Sequence, residues 1–224
     1  MVITTTDTAL LRLLQLASPA LPVGAYAFSQ GLEYAIEARW IKDVEAVKEW
    51  LTLQLQHGVA QVDLPLLRNL HAAWSEQDQQ ATIYWNASVL ACRETAEFRL
   101  AETATGEGLA RLLPAFGIKI PAWIKPPTFV AMFALAASHW QLSPQVTAYA
   151  FVWGWLENQV MAATKLLPLG QTQAQVLLGE LQGLLPELIE TAMQSSEREP
   201  GAGLPGLVLA SCKHETQYSR LFRS

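Results

Sequence analysis

The sequence predicts an all-α fold, and three observations support this prediction. Apolar residues recur at steps of three and four along most of the chain, which is the period of an amphipathic α-helix. Alternation of apolar and polar residues never lasts more than a few positions, and no Asn-Gly or Asp-Gly hairpin turn occurs. Prolines and helix-capping residues separate the periodic stretches. We therefore expect a single-domain bundle of about eight to ten helices with a flexible C-terminal tail.

Two consecutive helices are predicted between residues 43 and 74. Asp43 is the expected N-cap of the first, because its carboxylate can accept a hydrogen bond from an N–H of the first turn. Apolar residues then recur at helical spacing: Val44, Val47, Leu51, Leu55, Val59 and Val62. Asp63 and Pro65 mark the start of the second helix, since proline needs no N–H partner in a first turn. This helix is expected to end near Trp74.

Two further helices are expected at about residues 79–92 and 93–116. The second contains Gly106 and Gly108, and glycine inside a helix costs about 0.5–1 kcal/mol relative to alanine. We therefore expect this helix to be broken near the two glycines. A loop with three prolines separates it from the rest of the chain: Pro121, Pro126 and Pro127.

Residues 126–156 are a candidate membrane span. They contain no charged side chain over 31 positions, which is long enough to cross a bilayer. The apolar run at 129–137 is too short, however, and several polar side chains follow it at once. Unpaired polar groups are costly in lipid, so the sequence predicts two buried helices that meet at a turn, and no membrane contact.

The last predicted helices are a long one at about residues 143–167 and shorter ones at about 172–184 and 186–195. Together these elements make residues 1–196 one helical domain. The remaining residues, 197–224, begin with a stretch rich in Gly and Pro. We expect them to form a hinge and a partner-binding C-terminal tail.

The charge balance excludes one class of partner and favours another. The chain has 15 Lys and Arg against 20 Asp and Glu, a net charge of −5, whereas a nucleic-acid binder needs a basic face for phosphates. Charged residues make up only 16% of the sequence, compared with about 25% in an average protein. Too few charges are available to cover the surface, so we expect other proteins to cover part of it.

The sequence contains no recognisable catalytic motif. It has no P-loop, no Gly-x-Ser-x-Gly elbow and no His-Glu-x-x-His pair, and its four histidines lie far apart. We therefore expect a protein that is not an enzyme and requires no cofactor. The two cysteines form no Cys-x-x-Cys pair, and Asp7 precedes the first basic residue, unlike the start of a signal peptide. Both features favour a cytoplasmic location.

Three side chains allow a functional interpretation beside a structural one. Cys212 and His214 could hold a transition metal, but only if a second chain supplied the remaining ligands. Lys165 lies near the end of a predicted helix, where the helix dipole favours a cation by about 0.3–1 kcal/mol. It could equally contact a partner, because few other charges lie on that face.

Two segments depart from the helical pattern and are candidate binding surfaces. Residues 18–31 form a loop that carries Tyr26 and Phe28 and is less polar than ordinary loops, so we expect it to be packed against something. The C-terminal tail contains aromatic, apolar and arginine side chains typical of interface anchors: Tyr218, Arg220, Leu221, Phe222 and Arg223. The alternative for the tail is a frayed terminus.

Five segments, spread from residue 13 to the C-terminus, carry a resemblance to a known family. They are LLQLASP (13–19), LPVGAYAFSQGLE (21–33), RET (93–95), KLLPLGQ (165–171) and HETQYSRLFRS (214–224). The opening loop and the tail are the specific segments, whereas RET alone would be weak. In this order, the segments resemble the urease accessory protein UreF family.

This resemblance implies a cytoplasmic, all-helical scaffold that is not an enzyme. UreF-like proteins form homodimers, bind the accessory protein UreD (also called UreH) and recruit the nickel-carrying GTPase UreG. The assembly docks on the urease apoprotein subunits and delivers nickel to the active site. By analogy, Tyr218, Arg220, Leu221 and Phe222 are expected to contact UreD, and Lys165 to lie near the surface that faces the GTPase.

Two other functions stay open from the sequence alone. One is a GTPase-activating role, in which Lys165 or an arginine acts on the phosphates bound by UreG. The other is direct nickel carriage, in which Cys212 and His214 bind nickel transiently. GTP turnover measured with and without the protein tests the first. Nickel titration of a Cys212→Ala, His214→Ala double variant tests the second.

Overall fold

The computed structural model describes residues 7–194 and 203–223. Its helices are α1 (Asp7–Ala17), α2 (Leu32–Glu37), α3 (Val44–Leu53), α4 (Leu64–Ser75), α5 (Gln79–Ala91), α6 (Ala96–Leu112), α7 (Phe129–His139), α8 (Pro144–Leu166), α9 (Gln171–Gln182), α10 (Leu185–Gln194) and α11 (Pro205–His214). A π-helical segment (Gln54–Asp63) joins α3 to α4, and 3₁₀ turns lie at Ala25–Ala27 and Leu113–Phe116. These two described ranges contain no β-strand, which confirms the predicted all-α fold.

Polar N-cap side chains begin helices where the sequence predicted a start. The carboxylate of Asp43 accepts a hydrogen bond from the N–H of Ala46 (2.9 Å) at the start of α3. The hydroxyl of Ser143 accepts one from the N–H of Val146 (3.3 Å) at the start of α8. Each bond satisfies an N–H that has no partner within the first helical turn.

Helix α6 differs from its prediction in two respects. It begins after Thr95, whose hydroxyl accepts a hydrogen bond from the N–H of Phe98 (3.1 Å). It is also unbroken at Gly106 and Gly108. A Cβ atom on Gly106 would overlap the carbonyl oxygen of Pro127, so this glycine marks a close contact between backbones. The predicted break was wrong because tertiary packing outweighs the low helix propensity of glycine.

Pro65 explains the π-helical segment between α3 and α4. Proline has no N–H, and in an α-helix its ring collides with the carbonyl oxygen four residues earlier. The N–H of Leu64 donates instead to the carbonyl oxygen of Val59, five residues earlier, which widens the turn. Residues 44–75 therefore form one continuous element with the buried Asp63 at its junction.

Helix α7 lies at the centre of the bundle, between α4 and α6. Most of its side chains are buried: Val130, Ala131, Met132, Phe133, Ala134, Ala136 and Ala137. The many alanines let neighbouring helices approach closely, and α8 packs beside it against α1, α9 and α10. The predicted pair of buried helices is thus α7 and α8. Among the helices described, none has the length and apolar character needed to cross a membrane.

The C-terminal part contains a helix, α11, that the sequence did not predict. It packs on α2 and α6. Gly31 has a φ of +81°, and a Cβ there would lie only 3.2 Å from the Cβ of Ala210, so glycine allows α11 to approach. Residues 203–223 of the predicted tail therefore lie against the helical domain. Residues 197–202, the first part of the predicted hinge, lie outside the described residues.

Candidate partner-binding site

The C-terminal segment, the loop before α2 and the end of α8 meet at one place on the surface. Lys165, in the last turn of α8, holds its ammonium group 5.6 Å from the ring centre of Phe222 and 6.0 Å from that of Tyr26. These distances suit cation–π interactions. Phe222 is buried, whereas Lys165 and Tyr26 are exposed, so the buried ring joins the tail to the end of α8.

A second contact attaches the end of the chain to the same loop. The N–H of Arg223 donates to the carbonyl oxygen of Ala27 (2.8 Å), and the Arg223 guanidinium lies 5.6 Å from the ring centre of the buried Phe28. The 3₁₀ turn that presents Ala27 follows Gly24, whose φ of +80° favours glycine. The structure thus brings together five residues that the sequence singled out: Lys165, Tyr26, Phe28, Phe222 and Arg223.

Glu33, a buried carboxylate on α2, anchors the backbone of the C-terminal segment. Its Oε1 accepts a hydrogen bond from the N–H of Leu221 (2.6 Å), and its Oε2 accepts one from the N–H of Phe222 (2.8 Å). The same Oε2 lies 3.0 Å from Nε2 of His214. The sequence analysis missed Glu33 as a site residue because all three partners lie more than 180 positions away along the chain.

His214 is fully buried and bridges two carboxylates. Its Nε2 faces Glu33, and its Nδ1 lies 2.9 Å from Oε1 of Glu97, on α6. Burial raises the pKa of Glu97, while the hydrogen bond with His214 opposes that rise. Nη1 of Arg220 lies 3.4 Å from the same carboxylate. Two acidic side chains, one histidine and one arginine therefore link α2, α6 and the C-terminal segment.

The two candidate metal ligands differ in their surroundings. Cys212 is exposed, whereas both ring nitrogens of His214 face carboxylates. Within residues 7–194 and 203–223, no group of three or more His, Cys, Asp or Glu side chains is arranged to hold a metal ion. A metal bound to His214 would have to displace Glu33 or Glu97.

The remaining tail side chains are exposed to solvent. Tyr218 is 106% exposed and Leu221 is 63% exposed, and Tyr26, on the loop before α2, is 60% exposed. Large exposed apolar side chains that lie together mark binding surfaces in soluble proteins. Three cationic side chains, those of Lys165, Arg220 and Arg223, belong to the same part of the molecule. We define the tail–loop surface as Tyr26, Lys165, Tyr218, Arg220, Leu221 and Arg223.

A second polar cluster lies inside the bundle, around Arg93. Its Nη2 lies 2.7 Å from Oδ1 of Asp63 and 2.8 Å from Oε2 of Glu102. The other oxygen of Glu102 accepts a hydrogen bond from the N–H of Val130 (3.0 Å). Burial raises the pKa of Asp63, although Arg93 opposes the rise. The cluster thereby ties the π-helical segment to α6 and α7.

A cavity of about 260 Å³ lies beside this cluster, between α1, the π-helical segment, α6 and α8. Most of its wall is apolar or aromatic, but Gln54 and Gln159 also border it. Nε2 of Gln54 and Oε1 of Gln159 are buried and have no hydrogen-bond partner in the part of the chain that the structure describes. Buried polar groups of this kind usually bind ordered water, so the part of the wall formed by these two glutamines suits water.

Comparison with known proteins gives a consistent result. A model of the UreF family matches residues 41–182. The urease accessory protein UreF of Marinomonas sp. (strain MWYL1) is 52% identical over 223 residues, covering 99% of this chain and 97% of that protein. The UreF of Alkalilimnicola ehrlichii is 48% identical over 95% of both chains. That of Teredinibacter turnerae is 46% identical over 96% of this chain and 98% of its own.

The match therefore covers both the helical core and the C-terminal segment that forms the tail–loop surface. The chain belongs to the UreF family of urease accessory proteins.

Proposed function

We propose that this chain is a scaffold for urease maturation that is not itself an enzyme. It binds UreD and the GTPase UreG and holds them on the urease apoprotein while nickel is inserted. The observation that carries this proposal is the tail–loop surface, in which exposed aromatic, apolar and cationic side chains from three separate segments lie together. Tyr and Arg are among the side chains that contribute most to protein–protein affinity.

Within this proposal, the two ends of the tail–loop surface serve different partners. Tyr218, Arg220 and Leu221 contact UreD, and Lys165 lies at the edge that faces UreG. The chain acts in the cytoplasm as a homodimer, so one assembly holds two copies of each partner. Nickel passes between proteins and is bound by this chain at most transiently. The low fraction of charged residues, 16%, supports a surface that partners cover.

Co-purification tests the proposal directly. A tagged copy of the chain is expressed together with UreD, UreG and the urease subunits, and the proteins retained on the affinity resin are identified. We expect all of these proteins to be recovered together, whereas the tag alone recovers none. Recovery of the chain without UreD would overturn the proposed function.

Regulation of the GTPase is the alternative that the position of Lys165 favours. Its ammonium group is exposed at the end of α8 and rests against two aromatic rings, where it could reach phosphates on a partner. GTP hydrolysis by UreG is measured with and without the chain and with a Lys165→Met variant. Acceleration that Lys165→Met removes supports this alternative, and an unchanged rate of hydrolysis excludes it.

A further inference from the structure

The cavity between α1, the π-helical segment, α6 and α8 has two chemically different parts. The larger part of its wall is apolar and includes five aromatic side chains: Phe98, Phe129, Phe133, Phe151 and Trp155. The cavity volume of about 260 Å³ exceeds the ~150 Å³ at which an apolar protein cavity stays dry and holds one benzene molecule. This part of the wall therefore favours an apolar occupant over water.

The smaller part of the wall is polar and lacks hydrogen-bond partners. Gln54, at the start of the π-helical segment, is 3% exposed, and Gln159, on α8, is 1% exposed. Among the described residues, Nε2 of Gln54 finds no acceptor and Oε1 of Gln159 finds no donor. Buried polar atoms without partners are costly, so an occupant that supplies both an acceptor and a donor would be favoured here.

The charged side chains that border the cavity are paired with one another. Nη2 of Arg93 lies 2.7 Å from Oδ1 of Asp63 and 2.8 Å from Oε2 of Glu102. The other oxygen of Glu102 accepts a hydrogen bond from the N–H of Val130. A charged ligand would have to leave water and compete with these pairs, which is costly. The cavity therefore favours a neutral ligand.

We propose that the cavity is a binding site for a small neutral molecule that has an apolar body and one primary amide group. The carbonyl oxygen of the ligand accepts a hydrogen bond from Gln54, and its NH₂ group donates one to Gln159. The apolar body lies against the aromatic side chains. Because each glutamine carboxamide has both a donor and an acceptor, an amide ligand matches them in either orientation.

This site is separate from the surface on which the proposed function depends. The residues that define the tail–loop surface do not border the cavity. Two of the residues that do border it are exposed, Glu94 and Gly203, so this side of the cavity lies nearest to solvent. A small molecule can thus be bound whether or not the chain binds UreD, and the test below needs no partner protein.

Benzamide, a benzene ring with one primary amide, is the probe for this site. It is titrated into the unmodified chain, and the side-chain NH₂ signals of Gln54 and Gln159 are followed by NMR. We expect both signals to shift until the site is saturated, with a dissociation constant in the millimolar range or lower. Absence of a saturable shift at millimolar benzamide would overturn the proposal and would leave the cavity to water alone.

Toluene tests whether the amide group is recognised, because it has the same ring without the amide. We expect the unmodified chain to bind toluene at least tenfold more weakly than benzamide. Equal affinity for the two molecules would refute recognition of the amide. This comparison uses no variant, so it decides the question even where a substitution prevents folding.

Substitution of the glutamines tests their assigned roles. Gln54→Leu replaces the carboxamide by an apolar side chain of similar size, and benzamide, followed through the Gln159 signal, should bind at least tenfold more weakly. The matched control is Gln61→Leu on the same π-helical segment, because Gln61 is exposed and does not border the cavity. It should bind benzamide normally. If Gln54→Leu does not fold, Gln159→Leu, followed through the Gln54 signal, should show the same loss. Unchanged affinity in the folded variant would contradict the proposal.

Discussion

At the scale of single residues, buried charges link parts of the chain that lie far apart in sequence. Arg93 contacts Asp63 and Glu102, and burial would lower its pKa, but these two carboxylates outweigh burial and raise it. His214 likewise links two residues that are distant in sequence, Glu33 and Glu97. The chain has few charged residues, and those buried in these two clusters are not available to the surface.

Removal of Arg93 should destabilise the fold strongly. In Arg93→Met, the carboxylates of Asp63 and Glu102 stay buried without a cation, a change that typically costs about 3–5 kcal/mol. Urea denaturation measures the free energy of unfolding. Arg111→Met is the control, because Arg111 is exposed and its contact with Glu107 is long (3.9 Å), so we expect a loss below about 0.5 kcal/mol. Equal losses in the two variants would contradict the assigned role of the cluster.

Buried His71 should make stability fall in mild acid. Burial lowers its pKa, although the hydrogen bond to the carbonyl oxygen of Leu142 opposes this. The unfolded chain therefore takes up this proton more readily, and the contribution to stability is complete above pH 6.5 and is lost as the pH falls below it.

The test compares the free energy of unfolding of three proteins at about pH 7 and at about pH 5. His71→Gln keeps an N–H donor at this position but cannot titrate, so its stability should fall less than that of the unmodified chain. The control is His57→Gln, which changes an exposed histidine. A fall of the same size in His71→Gln and the unmodified chain would refute the prediction.

At the scale of helices, periodicity predicted the elements that have an apolar stripe and a clear cap. It gave no separate helix for α1 or α2, and it missed α11, which begins with Pro205 and Gly206 and therefore looks like a continuation of a hinge. Its stability comes from packing on α2 and α6, contacts that a local pattern does not contain. The break predicted in α6 was wrong for the same reason. Glycine occurs inside this helix because neighbouring backbone packs closely against it, and its low helix propensity does not interrupt the helix.

Two glycine substitutions distinguish the effect of tight packing from the effect of helix propensity. Gly106→Ala should destabilise the protein by about 1–3 kcal/mol, because the added Cβ overlaps backbone near Pro127. Gly179→Ala, on α9, meets nothing within 4 Å and should stabilise the protein by about 0.5–1 kcal/mol. Thermal unfolding of both variants measures the two effects. Stabilisation by Gly106→Ala would show that the contact is not tight.

At the scale of the whole molecule, the sequence predicted more of the family and fold than of the site. The sequence analysis selected Tyr26, Lys165 and Phe222, but their contact depends on the meeting of a loop, a helix end and the last residues of the chain. Glu33 and Glu97 could not be selected, because each forms its contacts with the tail across more than 110 residues of sequence. Local patterns do not reveal such pairs.

The most direct test of the account is the affinity of the purified chain for UreD by titration calorimetry. A Tyr218→Ala, Leu221→Ala double variant should bind at least tenfold more weakly, because it removes the exposed side chains of the docked segment. An Ile83→Ala, Tyr84→Ala variant, which changes exposed apolar residues of α5 outside the tail–loop surface, should bind normally. Absence of UreD binding by the unmodified chain, or equal affinity in both variants, would contradict the account.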